Sequence, residues 1–412
     1  MDRIYGGASI TIVNAAGDNS DCGLPGVSEV TRTPVDSFTF AGTGVRLVRI
    51  PLSGRVIERS RWASRGWTLQ EGVLSNRRLV FTSSHVYYQC RKWWCHEFLP
   101  TALSPVRFLE GLQHDDLLQA MQAFPYYEKH DTARWWHTFV VLMDQYRSRS
   151  LTYDSDALIA FVAILQGLNV NHFWGIPFRL EEPYSDAALM WRLLWKTSSR
   201  EDAKFVLRDG FPTWSWAAWK GQLASYGRGY TRSIDENILE LSVATETITG
   251  ERCSLADYCS MLKVHGNLDF FRPLLHVQGW MTTMRFARKG QEDVWPYVFD
   301  CNGRLIRGEA NIMDVVLPKE PEWNSSQFFV GTWPVLVLVD RAVRTNDKRP
   351  IERGYDVAGL ILKPCEDGNY QTLGKVDRIH MDMVRSGGDR LELRGNSSAG
   401  VLVCERRSIT LS

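Results

Sequence analysis

The chain has 412 residues, 44% hydrophobic and 23% charged, which is ample material for a core and enough length for two or three domains, so disorder is not expected. Forty-eight Lys and Arg against 47 Asp and Glu leave a formal charge of +1, so no global field selects nucleic acid or an anionic membrane. Eight scattered cysteines do not space like a disulfide scaffold, no run reaches about 18 apolar residues, and no apolar stretch follows a basic start; a cytoplasmic chain with reduced thiols and no membrane span is expected.

In chain order, Ser9–Ala16 is β-branched and short, and predicts a buried strand that enters the turn Gly17–Ser20; Gly23-Leu24-Pro25-Gly26 then forces a loop. Val45–Ile50 alternates apolar and basic residues as a half-exposed strand does, and Pro51 ends it. Helical character covers Gly66–Val73. Arg78–Thr82 and Val86–Cys90, separated by Ser83-Ser84-His85, predict an antiparallel hairpin.

From about residue 113 to 196 the period becomes helical. Trp135, Phe139, Leu142 and Tyr146 form one stripe behind Asp131 as N-cap; Leu158, Phe161, Val162 and Leu165 form a second behind Asp154 or Ser155, with Gly167 as a stop; Ala187, Met190, Trp191 and Leu194 form a third. After Pro212–Ala217 the texture is strand-like, with β-prone runs at Ile238–Ala244, Leu274–Trp280, Ile312–Leu317, Val335–Val339, Val357–Leu362 and Gly400–Cys404. The expectation is an α+β protein in three regions: residues 1–110 mixed α and β, 111–235 a helical layer, and 236–412 β-rich.

Residue chemistry narrows the function classes. Cys90, Cys95 and His96 lack a second pair of donors at matching spacing, so no metal is expected. Gly42-Thr43-Gly44 lacks the lysine of a phosphate loop, and no Gly-x-Ser-x-Gly elbow occurs. Arg61, Arg65, Arg77 and Arg78 read either as a phosphate patch or as a salt-bridged face, and the 16 tryptophans, Trp214, Trp216 and Trp219 among them, either as seam packing or as ligand platforms.

The most informative stretch is Arg65-Gly66-Trp67-Thr68-Leu69-Gln70-Glu71, with Leu74-Ser75 and Arg78. Together with Met1–Tyr5, Ile12–Ala16 and Gly23–Gly26, it resembles the second half of the fungal heterokaryon incompatibility (HET) domain. Leu151-Thr152 with Asp156–Ala160, Pro212–Ala217, and Gly359-Leu360 with Gly374 resemble blocks found after that domain. The family's opening strand, with its Leu-Ser-Tyr-x-Trp-Gly type motif, has no counterpart here, so a domain lacking its N-terminal part is expected.

The resemblance implies a partial TIR-like α/β segment at the front. It also implies a role as a signalling or executor component of non-self recognition and cell death, working through protein partners or self-assembly. HET domains are remotely similar to TIR domains, some of which cleave the nicotinamide glycosidic bond of NAD, and by that similarity Glu71 would be the catalytic carboxylate, with Trp67, Arg65 and Arg78 as binding residues and NAD as substrate rather than cofactor. A carboxylate suits such a step because the ribosyl carbon gains oxocarbenium character. Trp67 and Glu71, four apart, share a helical face. The competing reading has Glu71 paired to Arg65 or Arg78 and Trp67 plugging the core.

Overall fold

The computed structural model describes residues 2–19, 21–49, 53–91, 93–98, 132–181, 185–194, 196–197, 206–220, 223–224, 241–265, 270–287, 297–299, 302, 304, 313–315, 330–342, 354–395 and 401–412. The chain divides into two compact units, Met1–Val170 and Asn171–Ser412. Both helix and strand are present, with the strands concentrated toward the C-terminus, so the α+β expectation holds.

The first unit runs α1 (Asp2–Gly7), β1 (Thr11–Asn14), β2 (Ser37–Thr39), β3 (Arg46–Val48), α2 (Ser53–Glu58), α3 (Thr68–Leu74), β4 (Arg77–Phe81), β5 (Val86–Cys90), β6 (Trp94–His96), α4 (Thr132–Arg147) and α5 (Ile159–Gly167). Four strands form one sheet in the order β1-β4-β5-β6; β1 lies parallel to β4 with Thr11 opposite Arg78, and the rest is antiparallel. The β4–β5 hairpin falls where the alternation placed it. Its turn is closed by Thr82, whose backbone N–H donates to the His85 carbonyl at 2.9 Å. Strands β2 and β3 make a separate, mostly exposed ribbon.

Helices α1, α3 and α5 pack on one another. On α4, Trp135, Phe139, Leu142 and Tyr146 are all buried, as a period of 3.6 requires, and Phe139 and Tyr146 meet Phe161 of α5 at 6.1 and 5.1 Å. Tyr146 also donates its hydroxyl to the Ala157 carbonyl, 2.7 Å away.

In the second unit, β7 (Asn171–Phe173) and β8 (Ile176–Phe178) form a hairpin, followed by α6 (Ser185–Arg192). The two-residue strands β9 (Lys196–Thr197), β10 (Val206–Leu207), β11 (Trp219–Lys220) and β12 (Leu223–Ala224) pair as β9–β12 and β10–β11. Then come β13 (Ser242–Thr247), β14 (Arg252–Ser254), α7 (Leu255–His265), β15 (Phe271–Ala287), β16 (Tyr297–Phe299), β17 (Met313–Val315), β18 (Val330–Ala342), β19 (Gly354–Pro364), β20 (Tyr370–Gly387), β21 (Arg390–Gly395) and β22 (Val401–Leu411).

The long strands close on themselves. β15 pairs with β18, and the ladder continues through β19, β20, β21 and β22 back to β15, every step antiparallel. Six strands therefore form a closed ring whose interior is filled by one cluster drawing on all of them: Trp280, Met284, Val335, Ile361, Met381, Leu391 and Leu402 among others. Closure leaves the six strands no free edge within the ring.

An aromatic chain joins the β7–β8 hairpin to this barrel. Trp214 stacks on Phe173 at 5.5 Å, Phe173 meets Tyr258 of α7 at 5.1 Å, and Tyr258 meets Phe271 of β15 at 4.6 Å. The indole N–H of Trp216 donates to the Gly175 carbonyl at 2.9 Å, and that of Trp219 to the Thr213 carbonyl at 2.8 Å. The tryptophans after Pro212 are seam residues.

Several expectations change. Ser9–Ala16 is not a buried strand: only Thr11–Asn14 is extended, Val13 alone within it is buried, and Ile10 and Ile12 are exposed, because β1 is the last strand of its sheet. Asp154 and Ser155 do not cap a helix; they lie in a 3₁₀ turn, Asp154–Ala157, that leads into α5. Asp131 lies outside the described residues. Strands β20 and β21 and helix α7 were not foreseen at all.

The β7–β8 turn is tightly determined. Trp174 and Gly175 both have positive φ, 47° and 91°, as the two centre residues of a mirror-image turn do, and a Cβ on Gly175 would stand 2.9 Å from the Trp216 ring. Gly175→Ala is expected to destabilise the second unit by about 1–3 kcal/mol in urea unfolding followed by tryptophan fluorescence; a change within error would show that the ring has room to move.

Buried imidazoles set an acid limit. Burial pushes His172 down to about 4, and burial, with His96 and Arg32 nearby, does the same to His85, against 6.5 when exposed. Between pH 6.5 and 4 the unfolded chain binds protons that the folded chain does not, so stability present above pH 6.5 is lost as the pH falls toward 4. The urea midpoint should fall through that window, and fall less steeply in His172→Gln; equal slopes would remove His172 from the account.

Candidate functional site

The segment leading into α3 is built as a docking strip. Helix α3 buries Thr68, Leu69, Gln70, Gly72, Val73 and Leu74, leaving Glu71 as its half-open side chain, with Trp67 half-open one turn earlier. The pair therefore does share a face, as the i, i+4 spacing requires.

What the strip docks on is the segment from Arg149 to Ile159. The Gly66 N–H donates to the Ser150 carbonyl at 2.8 Å, and the Ser150 N–H to the Ser64 carbonyl at 2.6 Å. The Trp67 indole donates to Oδ2 of Asp156 at 3.0 Å, and the Gln70 amide to the Ile159 carbonyl at 3.1 Å. Arg149 Nη1 reaches the Arg65 carbonyl at 3.2 Å and the Thr68 hydroxyl at 3.1 Å. The Thr68 hydroxyl is itself directed at the carbonyls of Trp62 and Arg65. Gly66 is glycine for lack of room: a Cβ there would come within 2.4 Å of a Leu151 methyl.

Glu71 is held on its other side. Its Oε2 accepts from the Trp62 indole at 3.0 Å, and its carboxylate accepts from the Tyr5 hydroxyl of α1; burial, and then the Glu71 charge and hydrogen bond, push that phenol up to about 12. Ser75, at the end of α3, sends its hydroxyl between the Glu71 carbonyl, 2.5 Å, and the Thr11 hydroxyl of β1, 2.7 Å. Arg149 is 8% exposed and sits over the Trp62 ring, 5.8 Å from its centroid. Burial pulls the guanidinium down to about 10, and the nearby Glu71 charge opposes that pull.

The four residues singled out from the sequence part company. Arg65, Trp67 and Glu71 sit on one short strip, Arg65 exposed with its carbonyl as the docked atom. Arg78 does not join them. It is fully buried in β4, its guanidinium pulled down to about 10 by burial, with Tyr87, Arg91 and Cys90 as its charged or titratable neighbours. Glu71 is ion-paired to neither Arg65 nor Arg78 among the described residues; neutral N–H and O–H donors hold it.

Sequence reasoning missed Tyr5, Arg149 and Asp156 as parts of this site. The available signal was positional: Tyr5 and Asp156 stand inside the recognisable blocks, and Arg149 lies two residues before one. Its polar neighbours, Ser148 and Ser150, gave no periodicity to read.

A second polar group joins the β4–β5 turn to β6. His85 stacks on His96 with ring centroids 4.4 Å apart, and both are buried. Among the described residues, no group of three His, Cys, Asp or Glu side chains is gathered as a metal site would need. No helix there is long and apolar enough to cross a membrane.

Residues 1–71 match the family model described as Heterokaryon incompatibility protein (HET). The match ends on Glu71, so the docking partner from Arg149 onward lies beyond it. No curated protein and no solved structure matches the chain.

The docking strip makes a coupled prediction. Gly66→Ala should cost about 1–3 kcal/mol by crowding Leu151, and Leu151→Ala in the same chain should recover part of that cost, so that the two changes are non-additive in thermal or urea unfolding. Strict additivity would mean that the two residues do not meet.

Proposed function

We propose that this chain, whose first 71 residues carry the HET match, acts in heterokaryon incompatibility as a signalling and executor module, and that its first unit, a partial TIR-like segment, works through protein contacts rather than bond cleavage. The observation that carries this reading is the environment of Glu71. The carboxylate is tied down by Trp62 and Tyr5 at a three-way junction of α1, α3 and the Trp62 turn, which suits a residue that holds shape. A carboxylate accepting from two neutral donors gains about 1.5–3 kcal/mol from each. Self-assembly or a protein partner in the cytoplasm then supplies the signal.

One observation favours a second reading. Trp67 and Glu71 are the half-open side chains on their helical face, an aromatic beside a carboxylate, which is the arrangement an NAD glycohydrolase of TIR-like type would use to steady a ribosyl oxocarbenium. Arg65 is then the exposed cation beside them for a phosphate, while Arg78, wholly interior, has no part in it.

Expression in a fungal host, scored by dye uptake into fused compartments, separates the two. Glu71→Gln keeps an amide oxygen to accept from the Trp62 indole and an NH2 that can donate to the Tyr5 hydroxyl, and is expected to kill as the parent does. Trp67→Ala loses the Asp156 bond and ring packing, at a cost of about 2 kcal/mol or more, and should abolish killing. Loss of killing in a folded Glu71→Gln chain, together with NAD consumption by the purified parent, would establish the catalytic reading instead.

A further inference from the structure

We infer that the outer edge of β1 is a pairing surface for a second copy of this chain, joined antiparallel about a two-fold axis near Thr11. This deepens the assembly reading above by naming its surface and partner.

The backbone geometry is explicit. β1 lies at the end of the sheet order and pairs only with β4 among the described residues. The Ala15 N–H donates to the Phe81 carbonyl at 2.8 Å, so in a parallel ladder the amide and carbonyl groups of Thr11, Val13 and Ala15 turn toward β4. Those of Ile10, Ile12 and Asn14 therefore turn to the outer edge. The side chains reinforce the point: Ile12 and Ile10 are 55% and 43% exposed, on the face opposite buried Val13, with Ile4 of α1 65% exposed close by in the chain. From Ser9 to Asn14 there is no charge and no proline, the two devices that ordinarily protect an edge.

Self-complementarity selects the occupant. About an axis at Thr11, Ile10 of one copy faces Ile12 of the other, and the reverse, so both isoleucine pairs are covered at once, as an isologous interface demands. Buried Arg78 apart, the exposed charges on either side of β1 differ in sign. Arg77 lies at its N-terminal end, donating to the Ser9 carbonyl at 3.3 Å, and Arg3 precedes the strand in the chain; Asp18 and Asp21 follow it in the chain. An antiparallel pair brings the basic end of each copy to the acidic end of the other, whereas a parallel pair would bring like charges together. Two four-residue strands bury less than a standard interface, so the dimer is a weak one that concentration controls.

Sedimentation velocity of the full chain across a wide concentration series tests this without any cell-death readout. The weight-average mass should climb toward that of two copies. Ile12→Pro removes an outward N–H and leaves the ladder to β4 unchanged, and Ile12→Lys puts a charge on the edge; both should stay monomeric, with parental circular dichroism confirming the fold. Ile248→Lys, exposed in the second unit, should dimerise as the parent does. Arg3→Glu should weaken the dimer, and Arg3→Glu with Asp18→Arg should restore it. A parent that is monomeric throughout, or a dimer that persists in both Ile12 variants, overturns the inference; if such a chain still kills, the edge assignment fails while the signalling reading stands.

Discussion

The first unit depends on one joint, in which the turn and helix from Trp62 to Glu71 lie against the segment from Arg149 to Ile159. Backbone groups make the primary contact, through Gly66, Ser150 and Ser64, and side chains from both segments complete it. Neutral hydrogen bonds contribute about 1 kcal/mol each and those to charged groups rather more, so half a dozen of them amount to a sizeable share of the 5–15 kcal/mol by which a domain is stable. Each residue of the strip has a physical reason for its identity: Gly66 for clearance, Thr68 for a hydroxyl that turns back on the preceding loop, Trp67 for an indole N–H, and Gln70 for an amide that reaches a carbonyl.

The two units handle strand edges in opposite ways. In the second unit the long strands close into a ring, and their inner face is a continuous apolar cluster, with Cys404 among its members and its thiol pushed up to about 12 by burial. The ring satisfies the backbone internally. In the first unit the sheet ends on a short strand with outward isoleucines and no guarding charge. Charge and proline are the two devices that ordinarily guard such an edge, and Ser9 to Asn14 carries neither.

How much of this was readable from the sequence follows from the range of the interactions involved. The β4–β5 hairpin and helices α4 to α6 came through because their signals are local: period-2 alternation around a polar turn, and stripes such as Trp135, Phe139, Leu142 and Tyr146. Strand β20 did not, because Asp377, Arg378, His380 and Asp382 break up its apolar pattern, and its pairing with β19 and β21 is a tertiary fact. Barrel closure was hidden for the same reason, since β15 and β22 are distant in sequence and meet only when the ring closes. At the site, Trp67 and Glu71 stand out through the resemblance, and the spacing of four adds only that they share a helical face. The burial of Arg78 was not legible, because membership of a signature says nothing of strand parity, and parity sends Arg78 inward beside Val80.

The Glu71 and Arg149 charges illustrate why proximity in sequence or space does not make an ion pair. Arg149 spends its hydrogen bonds on carbonyls of Gln145 and Arg65 and on the Thr68 hydroxyl, while Glu71 takes its own from an indole and a phenol. A direct fork between them would need both groups to leave those partners and would desolvate two charges for one contact, a trade that buried ion pairs often lose. Kept apart, each charge is satisfied by neutral groups that also fix backbone: Arg149 anchors the loop before α3, and Glu71 anchors α1 to it. The Glu71 charge is still felt at the Arg149 guanidinium, where it opposes the downward pull of burial. The one residue, Glu71, thereby contacts three separate elements, through the Tyr5 hydroxyl of α1, the Trp62 indole of the preceding turn and the Ser75 hydroxyl at the end of α3.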